Sequence, residues 1–178
     1  MIERYEIGPA VCLPYDEHSA VVAREVAALI VGRLPFVEVE HIGSSSVLGC
    51  DGKGVIDLQL VYPRGRLEVV KAALDTLGFQ RQRTRNPFPE DRPMRTGAYR
   101  HRKRRYLVHV HVLDSTSSEV DRDRLFRDRL RVDGALRDRY VALKREIIES
   151  GVSDSVDYAD AKGTFILAAL REMADETR

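Results

Sequence analysis

Residues 41–60 read HIGSSSVLGCDGKGVIDLQL, a Gly-Ser turn between two apolar segments that ends in a carboxylate on the second of them. A strand enters the turn and a strand leaves it, so the chain needs a sheet, and the polar groups gather where the two strands meet. Glycines let a backbone approach a ligand and turn its N–H groups toward an anion, serines add hydroxyl donors, and a strand-borne aspartate can hold a divalent cation. The layout points to phosphate chemistry.

The flanking pattern extends the sheet. After Pro14, Asp16 can cap a helix whose apolar residues Val22, Val26, Leu29 and Ile30 recur at helical spacing and which ends near Gly32 to Pro35. Phe36–Ile42 alternates as a strand into the turn, and Val55–Tyr62 follows it as a second strand. Leu67–Leu77 reads as a helix with Gly78 as its C-cap, Phe79–Arg85 as a strand, and Asn86–Gly97 as a proline-bearing basic loop. Tyr99–Leu113 contains the clearest strand of the chain, with Tyr106, Val108, Val110 and Val112 on one face and Leu107, His109, His111 and Leu113 on the other. From Ser117 the pattern is helical, with helices over Leu125–Val132, Leu136–Glu149 and Asp154–Met173 divided by Gly134 and Gly151. The expectation is an α/β (α+β) protein: a mixed sheet region over residues 1–115 and a helical segment over 116–178 packed on it as one compact domain.

Composition narrows the class. Of 178 residues 43% are hydrophobic and 32% charged, and no apolar run approaches the roughly 20 residues that span a bilayer, so no membrane partner is expected. The first residues, MIERYEIGPAV, do not read as a secretory signal, which makes cytoplasm the expected location. Cys12 and Cys50 lack the spacing of a structural zinc site and read as free thiols. The net charge of +1 conceals residues 81–105, where ten Lys or Arg face only Glu90 and Asp91. That stretch can attract a polyphosphate or RNA, or be a solvated arginine-rich loop.

Asp57 and Gln59 share a strand face. A site of two carboxylates would show Asp-x-Asp or Asp-x-Glu, and the neutral amide of Gln59 weakens the hold on magnesium while keeping an oxygen to offer. If their strand lies beside that of Asp57, His109 and His111 supply the missing ligands and move the preference from magnesium toward manganese or zinc. Alternating histidines are otherwise surface or hydrogen-bonded sheet residues. His41 can orient a phosphate, act as general acid or base, or merely cap its strand. Lys53 is a phosphate counter-charge or an exposed loop lysine. No Walker A loop, dinucleotide-binding glycine pattern, zinc-protease motif or nucleophile elbow is present.

HIGSSSVLGCDGKGVIDL closely resembles the signature of the GrpB family, which runs roughly HIGSTSVPGLxxKPIIDI. His109-Val-His111 resembles that family's HVH strand, Leu125–Arg131 its FRDYLR element, and Tyr140 with Lys144, then Tyr158 with Lys162 and Phe165, its two Y…K patterns. The resemblance covers most of residues 36–170. Leu48, Cys50 and Gly54 depart from the usual Pro, Leu and Pro and loosen the loop. The family is similar to the nucleotidyltransferase superfamily, and by that analogy Gly43 and Ser44 cradle phosphate and Asp57 binds metal, while the second carboxylate is absent at Gln59. Related domains occur fused to dephospho-coenzyme A kinase, so the family by itself names no reaction.

The reading that results is a nucleotidyltransferase-like protein that binds a nucleotide or other phosphorylated ligand. Gly43, Ser44, Ser45, Lys53, Gln59 and Arg127 are its ligand contacts. Asp57, His109 and His111 hold a divalent metal (Mg, Mn or Zn), and Asp57 and His41 act if it is an enzyme of nucleotidyl transfer. Arg127 can instead pair with Asp128 and dock the helical segment, and Tyr158 packs on the sheet while Lys162 beside it offers a ligand contact. The alternative is a catalytically inactive module for ligand sensing, partner binding or assisted folding, which Gln59 favours.

Overall fold

The protein is seen in a computed structural model that describes residues 1–6, 8–152 and 155–176. In chain order the elements are β1 (Ile2–Glu3), α1 (Ser19–Arg33), β2 (Glu38–Ile42), a 3₁₀ turn (Ser44–Ser46), β3 (Val55–Tyr62), α2 (Leu67–Leu77), β4 (Gln80–Arg81), β5 (Met94–His101), β6 (Arg104–Asp114), α3 (Ser118–Val132), α4 (Gly134–Glu149) and α5 (Ser155–Glu176). The strands form one mixed sheet in the order β1-β5-β6-β3-β2, with β4 on β5, and only β3 and β6 run parallel. This is a mixed α+β architecture.

Period-two alternation decides what each face of the sheet does. Ile56, Leu58 and Leu60 of β3 and Val108, Val110 and Val112 of β6 are fully buried on one face, against Val22, Val26 and Ile30 of α1 and Val70 and Leu74 of α2. The helices there end as their residues dictate. The Asp16 carboxylate and carbonyl take the N–H groups of His18 and Ser19 ahead of α1. Gly78 closes α2 at φ +102°, where a Cβ would stand 2.7 Å from the carbonyl oxygen of Ile2. The other face carries Asp57, His109 and His111. There α3, capped by Ser117, lays Val120 on Val61 and Leu113.

Helices α3 to α5 share a second core with the glycine-rich loop. Leu130, Leu136, Tyr140, Val141 and Ala169 enclose Val47 and Cys50, and the Tyr140 ring lies between those of Phe126 and Phe165 at 5.3 and 5.5 Å. Both cysteines are free thiols. Cys50 is buried as a small apolar group, with the fully buried Lys144 ammonium 3.4 Å from its sulfur and donating also to the Asp51 carbonyl.

The strand expected within Tyr99–Leu113 is present as part of β6, and the structure adds a hairpin before it: β5 and β6 turn about Arg102 and Lys103, with Arg102 at φ +54°, a turn that carries no Gly or Asn to announce it. Consequently Met94–Gly97, expected in a loop, belongs to β5, and β4 is far shorter than Phe79–Arg85. The basic stretch is largely answered within the chain: Arg95, fully buried, pairs with Asp75 and Glu90, and Arg92, Arg100, Arg104 and Arg105 meet Glu119, Glu3, Asp16 and Glu3. Asp154, the expected start of the last helix, lies outside the described residues. No helix among the described residues is long and apolar enough to cross a membrane.

Candidate functional site

One rung across the sheet assembles the site. Ile42 of β2 faces Asp57 of β3, Asp57 faces His109 of β6, His109 faces Thr96 of β5, and Thr96 faces Gln80 of β4. The parallel pairing of β3 with β6 brings Asp57 beside both imidazoles, with His109 Nδ1 at 3.3 Å and His111 Nε2 at 3.8 Å from Oδ1. Burial pushes the Asp57 carboxyl up, but the two imidazoles outweigh it and hold the group well below the usual carboxylate range. Asp57 is therefore an anion at physiological pH. His109 also meets the Tyr5 hydroxyl, 2.9 Å from Nε2.

Gly43, at φ +68° and ψ −176°, presses against this carboxylate: a Cβ there would stand 2.6 Å from Asp57 Oδ2. The 3₁₀ turn follows, closed by the Ser46 hydroxyl on the Gly43 carbonyl at 2.6 Å. The close approach that the sequence suggested for a ligand is thus first an approach to Asp57. Above the rung opens a cavity of about 530 Å³, within the range of small-molecule sites, that Gly43, Ser44, Lys53, Asp57, His109 and His111 all line.

Its opposite wall comes from α5. The Tyr158 ring, nearly fully buried, is approached by two ammonium groups, Lys53 Nζ at 5.1 Å and Lys162 Nζ at 4.7 Å from its centroid. Burial lowers the Lys162 ammonium to about 8, with Lys53 and Lys144 adding to the shift and Asp57 opposing it. The Tyr158 hydroxyl is buried without a hydrogen-bond partner among the described residues. An anion between the lysines would lift the Lys162 shift.

Other expected contacts lie elsewhere. Gln59 is fully buried and does not line the cavity, because the Val120 carbonyl of α3 covers it and accepts from Nε2 at 3.4 Å, while Oε1 has no hydrogen-bond partner among the described residues. His41 and Ser45 lie 3.0 Å apart and neither lines the cavity, since His41 pairs in register with Leu58 on the core face. Burial presses the His41 imidazole down to about 4, with Arg131 and Arg127 adding to it, so the ring is neutral at physiological pH. Arg127 reaches the cavity rim, but its nitrogens are taken by Glu40 at 2.9 Å, the His41 carbonyl at 3.3 Å and Asp128 at 2.7 and 3.1 Å. That is the docking geometry.

Asp123 of α3 lines the same cavity with its carboxyl pushed up by burial, against the pull of Arg122 and His111. Sequence reasoning passed over it because the run DRDR reads as a solvated helix face. The structure brings Asp57, His109 and His111 together, with both imidazoles against one carboxylate oxygen, but among the described residues no group of three His, Cys, Asp or Glu side chains is arranged to hold a metal ion.

The mixed sheet with its flanking helices is a nucleotidyltransferase-like fold. The chain is similar to the Cid1 poly(U) polymerase, at 10% identity over 76% of this chain and 42% of that one, with a TM-score of 0.53. It is likewise similar to a chain of the GLD-2/RNP-8 complex, at 12% identity over 87% and 59% with a TM-score of 0.57. More specifically, the chain belongs to the GrpB family, whose description is GrpB protein and which matches residues 9–172. GrpB from Enterococcus faecalis shares the fold at a TM-score of 0.70 with 20% identity, over 92% of this chain and 99% of that one. A UPF0157 protein of Streptomyces coelicolor is 36% identical over 74% of this chain, and one of Halalkalibacterium halodurans 31% identical over 73%. The chain spans 66% and 64% of the lengths of these two relatives.

Proposed function

We propose that this protein binds a nucleotide, or another phosphorylated small molecule, in the cavity between the sheet and α5, together with a divalent cation at Asp57. The observation that carries the reading is the polarity of that cavity: an ionised Asp57 flanked by two imidazoles on one wall, and Lys53 and Lys162 about Tyr158 on the other. The lysines supply counter-charge for phosphates, and the turn at Gly43 and Ser44 supplies backbone and hydroxyl donors. Asp57, His109 and His111 would hold the cation, which when bound neutralises charge on the phosphates.

As an enzyme the protein would transfer a nucleotidyl group: an acceptor hydroxyl oxygen bonds to the α-phosphorus, the bond to the bridging oxygen breaks, and pyrophosphate leaves. Lys53 and Lys162 would neutralise the pyrophosphate. The hydroxyl proton would go to Asp123, whose raised carboxyl suits it to the task better than Asp57. A second reading, the inactive ligand-sensing module, is favoured by Gln59, which stands where a second carboxylate would be and is sealed beneath α3.

Thermal stability in a panel of nucleoside triphosphates, with magnesium, manganese, zinc or no metal, tests the binding. A ligand at about 100 times its dissociation constant should add roughly 2.7 kcal/mol to the wild type, and Asp57→Asn and Lys162→Gln should each remove most of that gain. Turnover of the stabilising ligand separates the enzyme from the sensing module. No gain with any ligand, or one that both substitutions leave intact, overturns the proposal.

A further inference from the structure

A second cavity opens on the same sheet face, just beyond His109 along the rung. It measures about 380 Å³ and is lined by Arg4, Tyr5, Glu6, Gln80, Arg81, Arg83 and Thr96. Thr96 and Gln80 are the rung neighbours that follow His109, so the two cavities lie on either side of that imidazole. Tyr5 is the partition: its hydroxyl is 2.9 Å from His109 Nε2 and its ring 5.4 Å from the imidazole, while His109 Nδ1 faces Asp57. A carboxylate, an imidazole and a phenol thus stand in one hydrogen-bonded line from the first cavity to the second.

The charge of the second cavity differs from the rest of the basic stretch. Most of those arginines are matched by a carboxylate, but Arg4 and Arg83 have no ion pair among the described residues. Arg81 stands only at 3.9 Å from Glu90, which already receives two nitrogens of Arg95 at 3.1 Å. Three guanidinium groups against Glu6 leave an excess of two positive charges around a concave space. Guanidinium forks match phosphate oxygens, and a phosphate monoester near neutral pH carries close to the two negative charges that this lining lacks.

We propose that this cavity is a second anion site, which takes the phosphate monoester of a small molecule and couples its occupancy to Asp57 through Tyr5 and His109. A phosphate drawn toward Arg4 and Arg83 changes the field at the Tyr5 hydroxyl. That hydroxyl is 2.9 Å from His109 Nε2, and His109 Nδ1 is 3.3 Å from Asp57, so a displaced Tyr5 ring moves the imidazole that stands against the carboxylate. The site does not depend on what fills the larger cavity, and its failure leaves the nucleotide reading intact.

Inorganic phosphate and acetate, titrated at constant ionic strength into the ¹⁵N-labelled full chain, provide the test. Phosphate should give saturable shifts at the amides of residues 4–6, 80–83 and 96 and at the His109 ring nitrogens, with acetate at least tenfold weaker. Arg4→Gln combined with Arg83→Gln, two exposed positions where folding is safe, should raise the phosphate dissociation constant at least tenfold. Tyr5→Phe should keep the shifts at 80–83 and abolish those at His109. Shifts confined to Gly43, Ser44 and Lys53, an unaltered constant in the double arginine variant, or no saturation, each overturn the proposal.

Discussion

Gly43→Ala is the substitution whose cost can be worked out most directly. At φ +68° and ψ −176° the residue occupies backbone space that is essentially reserved for glycine, and a side chain there costs of order 1–3 kcal/mol before it touches anything. The new Cβ would also stand 2.6 Å from Asp57 Oδ2 and 3.1 Å from the Asp57 Cβ, so the carboxylate must retreat from the imidazoles that hold it ionised. Together the two effects should destabilise the protein by about 3 kcal/mol, which for a chain of this size lowers Tm by roughly 6–12 °C. Urea and thermal unfolding measure this directly. A cycle with Asp57→Ala divides it, because removing the carboxylate relieves the collision but leaves the backbone strain. The double variant should be less destabilised than the sum of the singles by about 0.5–3 kcal/mol. A Gly43→Ala protein within 0.5 kcal/mol of wild type, or a strictly additive cycle, would refute the claim that the turn is built against Asp57.

The His41 imidazole falls from 6.5 to about 4 on folding, so between those values the unfolded chain binds the extra proton and stability drops as pH falls, by up to about 3 kcal/mol. His41→Gln should flatten that limb of the pH–stability curve, and an unchanged slope would show that the ring is not sealed. Lys162, lowered to about 8 among Lys53, Lys144, Asp57 and Tyr158, should lend charge to a phosphate only below that pH. Nucleotide affinity measured by calorimetry should therefore hold steady from pH 6 to 7.5 and decline above 8, and Lys162→Gln should remove the inflection; a profile identical in both proteins would count against a contact there. Arg127→Gln loses its bonds to Glu40 and the His41 carbonyl and should cost about 1–3 kcal/mol in urea unfolding, with nucleotide affinity changed less than about threefold. Unchanged stability with a tenfold loss of affinity would return Arg127 to the phosphate.

The parts of this fold that the sequence disclosed are those where local chemistry and tertiary packing agree. β3 and α2 coincide with Val55–Tyr62 and Leu67–Leu77, because an apolar run that alternates with Asp57 and an apolar stripe closed by Gly78 leave no competing structure. The pairing of β3 with β6, needed to bring His109 and His111 to Asp57, was conditional in the sequence and is present in the sheet. What stayed hidden depends on partners distant in the chain. No local signal marks the turn at Arg102, the two-residue β1, or the carboxylates from residues 3 to 119 that answer the basic stretch. The same is true of Arg127, whose partner Glu40 lies 87 residues away.

Gln59 shows how one helix decides which chemistry the site can support. It shares the strand face of Asp57, and a carboxylate there would restore the pair that grips a hard cation, so Gln59→Glu looks like the substitution that should improve magnesium binding. The packing argues the reverse. Gln59 is fully buried and gives its amide hydrogen to the Val120 carbonyl, so glutamate would set one acceptor against another and seal a charge away from water. The variant should be less stable by about 3–5 kcal/mol at pH 8. Because burial raises the new carboxyl above its unfolded value, that deficit should shrink as pH falls toward 4. Magnesium-dependent nucleotide stabilisation should not appear. A variant that keeps wild-type stability at pH 8 and gains such stabilisation would show that α3 yields readily, and that the site is a two-carboxylate centre lacking one residue. A variant that behaves as expected leaves the imidazoles as the partners that Asp57 has, and makes any cation here one chosen by nitrogen as much as by oxygen.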